Sequence, residues 1–272
     1  MASRQVIITT VFGPKAESIA KTFASFLKVP DAELHVFVYN QELPHDRHPK
    51  LQYHLVQHDP AFTSIRRDAL FRRWTLPDQL DAEYALVVDG TDAICIHPLP
   101  AFQQILRGAC LAAATEWVPP IRILGQGFTS TYLNAGVTFW HLPGSSKIRH
   151  EVAARGRAHY RGPFDDQTVL NEVVQTSYFD QLAILPSQFN WRALYRKNFR
   201  SWHHHFRNWP RVDSLDGVFI YHNQHCVDEV LSALESQQPA ARAKLPNLPA
   251  DTQPLSPSTL FWRRLVHRWL HS

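Results

Sequence analysis

Residues Tyr84–Leu99 read YALVVDGTDAICIHPL. Tyr84 to Val88 is an apolar run suited to a buried strand. It passes directly into Asp89-Gly90-Thr91-Asp92 before Ile94 and Ile96 resume the apolar pattern. A carboxylate at the mouth of a buried strand is costly unless something cationic meets it. Residues three apart on a flat strand do not share a face, so Asp89 and Asp92 converge only if the chain turns between them. Gly90 is expected to supply the backbone freedom for that turn, and Thr91 tolerates it. Two carboxylates so placed suit a hard divalent cation, which takes oxygen ligands and keeps room for phosphates. They equally suit a solvated Asp-Gly turn.

Working outward, Val6–Val11, Leu34–Tyr39 and Leu51–Val56 read as strands, and Ile19, Phe23 and Leu27 give Ala16–Leu27 a helical spacing. Asp59-Pro60 looks like an N-cap followed by proline at the first helical position, predicting a helix from there through Leu76, with Pro77 where it stops or kinks. After the Asp89 strand come a helix over Pro100–Leu106 and a short strand, Cys110–Ala114. This alternation predicts an α/β domain with a largely parallel sheet. In such sheets ligands gather beyond the carboxyl ends of strands, where Asp89 stands.

Further along, Tyr132–His141 (YLNAGVTFWH), Leu182–Leu185 and Gly217–His222 (GVFIYH) read as strands, and helices are expected over Phe164–Thr176 and Val227–Leu234. His222, at a strand end, could complete an oxygen-rich site and tilt it toward manganese over calcium. The run His203-His204-His205 is a poor chelate, because adjacent residues do not face one way. The aromatic and basic stretch Phe189–Trp209 suits either a sugar-stacking acceptor face or core filling. Residues 1–236 are therefore taken as one domain, 237–258 as a proline-rich linker and 259–272 as a basic amphipathic helix. On that last helix Trp262, Leu265, Val266 and Trp269 share a face, while Arg263, Arg264, His267 and Arg268 lie largely elsewhere. Such a helix suits an anionic bilayer surface or a return onto the domain.

At 272 residues and 44% hydrophobic the chain has ample material for a core. A net charge of +4 is too mild for a dedicated nucleic-acid binder. Cys95, Cys110 and Cys226 are odd in number and widely spaced, indicating neither a disulfide framework nor a zinc site. No apolar run approaches the length of a membrane span, and the N-terminal residues lack a leader pattern. The expectation is a cytoplasmic protein, peripheral to the membrane through its last helix.

Several blocks together resemble one family. VVDGTDAICIHPL resembles the metal-binding segment of GT-A-fold glycosyltransferases, and YLNAGVTFWHL, FDDQTVLNEV, LPSQFNW, FRRWTLPDQL and GVFIYHNQH are similar to successive segments of family 8, the glycogenin and lipopolysaccharide galactosyltransferase-like enzymes. That family carries DxD, whereas this chain has D-x-x-D, a form resembling the procollagen glycosyltransferase group. The lysine and glycine of the family pattern after the late histidine are replaced by HNQHC. The resemblance implies a GT-A (Rossmann-like) mixed, mostly parallel sheet flanked by helices. It implies a hexosyltransferase, retaining in stereochemistry, that uses a nucleoside diphosphate sugar (UDP-sugar foremost) and a glycan, lipid-linked or protein acceptor. It further implies Mn2+ or Mg2+ held by Asp89, Asp92 and His222. Thr9, Thr10, Val11, Arg73, Asp89, Gly90 and Thr91 would bind the nucleotide sugar. Asn134, Asp165, Asp166 and Gln167 would act at the donor sugar and acceptor, Asp165 or Asp166 serving as base if the reaction inverts. Two other readings stay open: a non-catalytic glycan- or partner-binding domain of the same fold, and a phosphatase-like hydrolase built on VVDGTD.

Overall fold

Strand β1 (Gln5–Val11) is buried along nearly its whole length, as a strand with helices on both faces must be. In the computed structural model, which describes residues 4–115, 121–123, 126–128, 132–158, 165–191, 217–222 and 227–235, β1 sits inside a seven-stranded sheet. The other members are β2 (Ala32–Val38), β3 (Gln52–Leu55), β4 (Tyr84–Val88), β6 (Leu111–Thr115), β9 (Leu133–His141) and β10 (Leu182–Leu185), in the order β10-β6-β9-β4-β1-β2-β3. Every neighbouring pair is parallel except the two made by β9, which runs antiparallel between β4 and β6. A second small sheet pairs β5 (Ala93–Cys95) with β11 (Ile220–His222), and β7 (Ile121–Ile123) forms a hairpin with β8 (Gln126–Phe128). The segments expected as a linker (237–258) and a last helix (259–272), and the His203–His205 run, lie outside the described residues.

Alternation along the strands divides the core in two. Val6, Ile8, Ala85 and Val87 face α2 (Ile65–Arg72), α4 (Leu142–Arg157) and α5 (Asp165–Ser177), packing with Phe71, Trp74, Val152 and Val173. Ile7, Leu86 and Val88 face α1 (Lys15–Phe23) and α3 (Phe102–Leu106), packing with Ile19, Phe23 and Phe102. Each large apolar side chain buried there contributes about 1.5–3 kcal/mol. A satellite cluster, with Ile94, Trp191, Tyr221 and Leu231, holds β5 and β11 against α6 (Val227–Glu235). The chain winds outward from β1 to β3 and then returns to β4 on β1's other side. The crevice at the carboxyl ends of β1 and β4 is thus the switch point of the sheet, where such folds bind ligands.

The short strands β5, β7 and β8 are additions to the sequence reading, and two helices depart from it. Helix α2 begins five residues later than Asp59-Pro60 predicts, because Ser64 is its cap: the Ser64 hydroxyl accepts from Arg67 N at 3.2 Å. Asp59 instead closes a local turn, accepting from Ala61 N at 2.9 Å. Helix α4 is not anticipated at all. Its buried face runs Leu142, Ser145, Ile148, Arg149, Val152, Ala153, Gly156, so serine, arginine and glycine interrupt the apolar stripe that would announce it.

A buried histidine pair at the β2–β3 edge sets an acid limit. His35 Nδ1 and His54 Nε2 lie 2.9 Å apart and the rings stack. Burial first, and the neighbouring His54 second, push the His35 imidazole down to about 4. The folded state therefore holds a neutral ring that the unfolded chain protonates below about 6.5. The stability this contributes is full above that pH and is lost as pH falls toward 4. Between pH 7 and 4.5 the protein should lose about 2 kcal/mol through this residue. Urea titrations should show that loss in the parent and a smaller one in His35→Gln.

Candidate active site

The Asp89 carboxylate leaves β4 at the point where its ladder with β9 ends. Val88 still pairs with Val137, and Asp89 N then donates to Gly136 O at 2.8 Å. The chain turns at once: Asp92 N and Ala93 N both donate to Asp89 O, at 3.1 and 2.9 Å. That turn delivers Asp92 to the side where Asp89 points. Gly90 contributes space rather than unusual dihedrals, since it is not among the glycines with positive φ. A Cβ there would lie 2.6 Å from Thr9 Oγ1 and 2.8 Å from Ile19 Cδ1.

His222 arrives through strand pairing. β11 runs antiparallel to β5 with His222 opposite Ala93, beside the residue that follows Asp92. Its Nε2 lies 3.5 Å from Asp89 Oδ2 and 3.8 Å from Asp92 Oδ1. One ligand atom from each of Asp89, Asp92 and His222 falls within 4.8 Å of the others. Gly136 leaves room for this meeting: a Cβ at that position would overlap the His222 ring and lie 2.6 Å from Asp89 Oδ2. If the three residues hold Mn2+, Gly136→Ala should weaken its binding by roughly tenfold or more, as other displacements of ligand-orienting groups do, measurable by calorimetry.

Arg73, one residue past α2, is the cation that meets the buried-strand carboxylate. Its guanidinium donates to Asp89 Oδ1, to Asp166 Oδ2 at 2.6 Å and to Ala135 O at 2.8 Å. Burial opposes the Arg73 charge, but Asp166 and Asp89 more than compensate and hold it protonated. Burial likewise works to raise the Asp89 carboxyl, yet the Arg73 guanidinium holds it well below the usual carboxylate range. Asp166 goes the other way: burial pushes it up to about 6 against the pull of Arg73. One buried arginine thus joins the turn after β4 to the start of α5.

The crevice bounded by these groups has a volume of about 210 Å³ and is lined by Thr10, Val11, Arg73 and the Asp89–Asp92 turn, together with Phe12, Lys15, Arg66 and Leu70. The remaining expected residues stand behind it. Thr9 is buried, its hydroxyl accepting from Gly90 N at 3.0 Å. Gln167 Oε1 accepts from Ala135 N at 3.0 Å, and Asn171 one turn on accepts from Leu133 N at 2.7 Å. These two amides satisfy β9 where β4 has left it. Asn134 is buried, with its Oδ1 accepting from Gly136 N at 2.9 Å and from Asn190 Nδ2 at 2.8 Å. Asp165 opens α5. Lys15 and Arg66, two exposed cations on the crevice, and Asn190, 2.9 Å from His222 Nδ1, were not singled out from sequence. Asn190 and Gly136 fall inside the LPSQFNW and YLNAGVTFWHL blocks, but a block match does not say which neighbour each residue serves.

By sequence, the chain matches no family model and no curated protein. Among solved structures it is similar to the apo form of mouse xyloside xylosyltransferase 1 (TM-score 0.54, 14% identity, covering 82% of this chain and 98% of that one). It is similar also to the apo glycosyltransferase GlyE of Streptococcus pneumoniae TIGR4 (TM-score 0.53, 19% identity, 86% of this chain and 60% of that one). A third is the bifunctional glycosyltransferase WbbM in its apo form (TM-score 0.52, 14% identity, 71% of this chain). The chain spans only 40% of WbbM. With the strand order above, these likenesses establish the fold as a GT-A-like, Rossmann-type domain with a mixed, mostly parallel sheet.

Proposed function

We propose that this chain is a glycosyltransferase that moves a hexose from a nucleoside diphosphate sugar, a UDP-sugar foremost, to a glycan, lipid-linked or protein acceptor. The observation that carries the reading is the meeting of buried His222 with Asp89 and Asp92, two residues that line a crevice at the switch point of a GT-A-like sheet. The donor set fits a divalent cation. Two carboxylates offer hard oxygen ligands, and the imidazole favours Mn2+ over Mg2+ or Ca2+. When bound there, the cation supplies Lewis-acid stabilisation of the diphosphate leaving group.

The chain's own residues do the rest. Lys15 and Arg66 stand where the phosphates of a donor would enter. Arg73 keeps Asp89 ionised and adds positive potential at the crevice floor. The ends of β1 at Thr10 and Val11 offer a platform for the nucleotide. Asp165, Asp166, Gln167 and Asn134 border the donor sugar and acceptor in this proposal. The engagement of Asp166 by Arg73 suits a retaining course, which asks for no strong base beside the acceptor hydroxyl. Residues 259–272, expected from sequence to be a basic amphipathic helix, would rest on an anionic membrane surface in this proposal. Among the described residues no helix is long and apolar enough to cross one.

The test is calorimetry with UDP and GDP, each with and without Mn2+, followed by a donor screen for metal-dependent hydrolysis and NMR of the anomeric product. Metal-dependent nucleotide binding and slow donor hydrolysis are expected. No binding of any nucleotide would replace the enzyme by a non-catalytic domain of the same fold. Phosphate release from a simple aryl phosphate would instead point to a hydrolase.

A further inference from the structure

A chain of three side chains behind His222 has a polarity that can be read from one backbone group. Gly136 N–H can only donate, and it points at the Asn134 amide at 2.9 Å, so the Asn134 atom there is the oxygen. The same oxygen lies 2.8 Å from the Asn190 amide, which must therefore turn its NH2 toward Asn134. That leaves the Asn190 oxygen facing His222 Nδ1 at 2.9 Å, and an oxygen acceptor requires Nδ1 to carry the proton. The lone pair of the neutral ring is then on Nε2, the nitrogen aimed at Asp89 and Asp92. All three residues are buried, at 2%, 6% and 3% exposure for Asn134, Asn190 and His222, so water cannot readily substitute for a missing link.

We infer that Asn190 is a positioning residue: with Asn134 it locks His222 in the Nδ1–H tautomer and so presents Nε2 to a cation. The cation itself rests on the reading proposed above; the tautomer does not. The tie is also mechanical. The peptide after Asn190 holds the same strand, with Trp191 N donating to Ile220 O and His222 N donating to Trp191 O, each at 2.8 Å. Asn190 thus sets both the ring's rotation and its proton, the usual task of a group behind a metal-binding histidine.

The experiment is long-range 1H–15N correlation of the full chain labelled at histidine, above neutral pH, with His222 assigned by its absence in His222→Gln. The parent should show the Nδ1–H pattern for His222. Asn190→Leu should lose it and bind Mn2+ 10–100-fold more weakly by calorimetry. Asn190→Asp, whose carboxylate accepts the same proton but turns an oxygen on Asn134 Oδ1 in place of the NH2, should keep the Nδ1–H pattern while binding Mn2+ more weakly than the parent. A parent spectrum showing Nε2–H overturns the inference whether or not any variant folds. So does an Asn190→Leu protein with unchanged tautomer and affinity. An Nδ1–H parent that takes up no Mn2+ removes the metal reading and leaves the tautomer assignment supported.

Discussion

Asp92→Asn is expected to weaken Mn2+ binding at least about 100-fold, since groups merely behind a ligand are already worth 10–100-fold, while the metal-free protein melts within a degree or two of the parent. Asp92 sits on a turn with about a quarter of its side chain exposed (24%), and its carboxylate joins those of Asp89 and Asp166 around one buried arginine. Removing its charge takes from Arg73 an attraction weaker than those of Asp166 and Asp89, which both remain. Asp89→Asn should lose metal as severely and also cost about 2 kcal/mol, because buried Arg73 then keeps Asp166 as its one hydrogen-bonded carboxylate. Thermal melts with and without Mn2+ separate the two roles. At a hundred times its Kd the ion should stabilise the parent by about 2.7 kcal/mol, and neither variant should respond. If both variants respond like the parent, the cation is held elsewhere and the proposed function loses its central observation.

The contrast between these two aspartates follows what could be read in the sequence. The strand Tyr84–Val88 and the short strand Leu182–Leu185 have the bounds expected for them, because an apolar run closed by turn residues leaves little choice. The meeting of Asp89, Asp92 and His222 was also anticipated, from a turn after one strand, a histidine ending another and the family resemblance that joins them. What could not be read was the service each polar residue gives. Arg73 was expected to face phosphate, but burial and two carboxylates make it first the counter-ion that allows Asp89 to exist where it does. Gly90 was expected to bend the chain and instead clears space for Thr9 and Ile19. Asn190 was only one letter of a motif, because its partners Asn134 and His222 are 56 and 32 residues away. Hydrophobic periodicity reports faces, and it is silent on which amide answers which.

The same silence hid α4, whose central residue predicts the largest loss of stability. Arg149 is 1% exposed, and its guanidinium donates to Trp74 O at 2.7 Å, Leu142 O at 2.8 Å and Ser145 Oγ at 3.0 Å, with Asp78 at 2.6 Å. Burial lowers its pKa, against the pull of Asp78. Arg149→Met keeps most of the volume but removes the guanidinium from Trp74 O, at about 1–3 kcal/mol, leaves Leu142 O only its helical donor, and strips Asp78 of its partner. The whole change should cost about 3–5 kcal/mol, as breaking a buried ion pair does, and appear as a lower urea midpoint with little change in slope. Arg149→Lys should recover only part of this, since an ammonium cannot reach carbonyls lying along the fork of a guanidinium. The bond to Trp74 O lies one residue past Arg73, so α4 braces the chain that carries the Asp89 counter-ion. Folded Arg149→Met should nonetheless hold Mn2+ within about tenfold of the parent, because Arg73 keeps its own three partners. A larger loss of metal than of stability would mean that the brace, rather than the carboxylates, sets the geometry of the site.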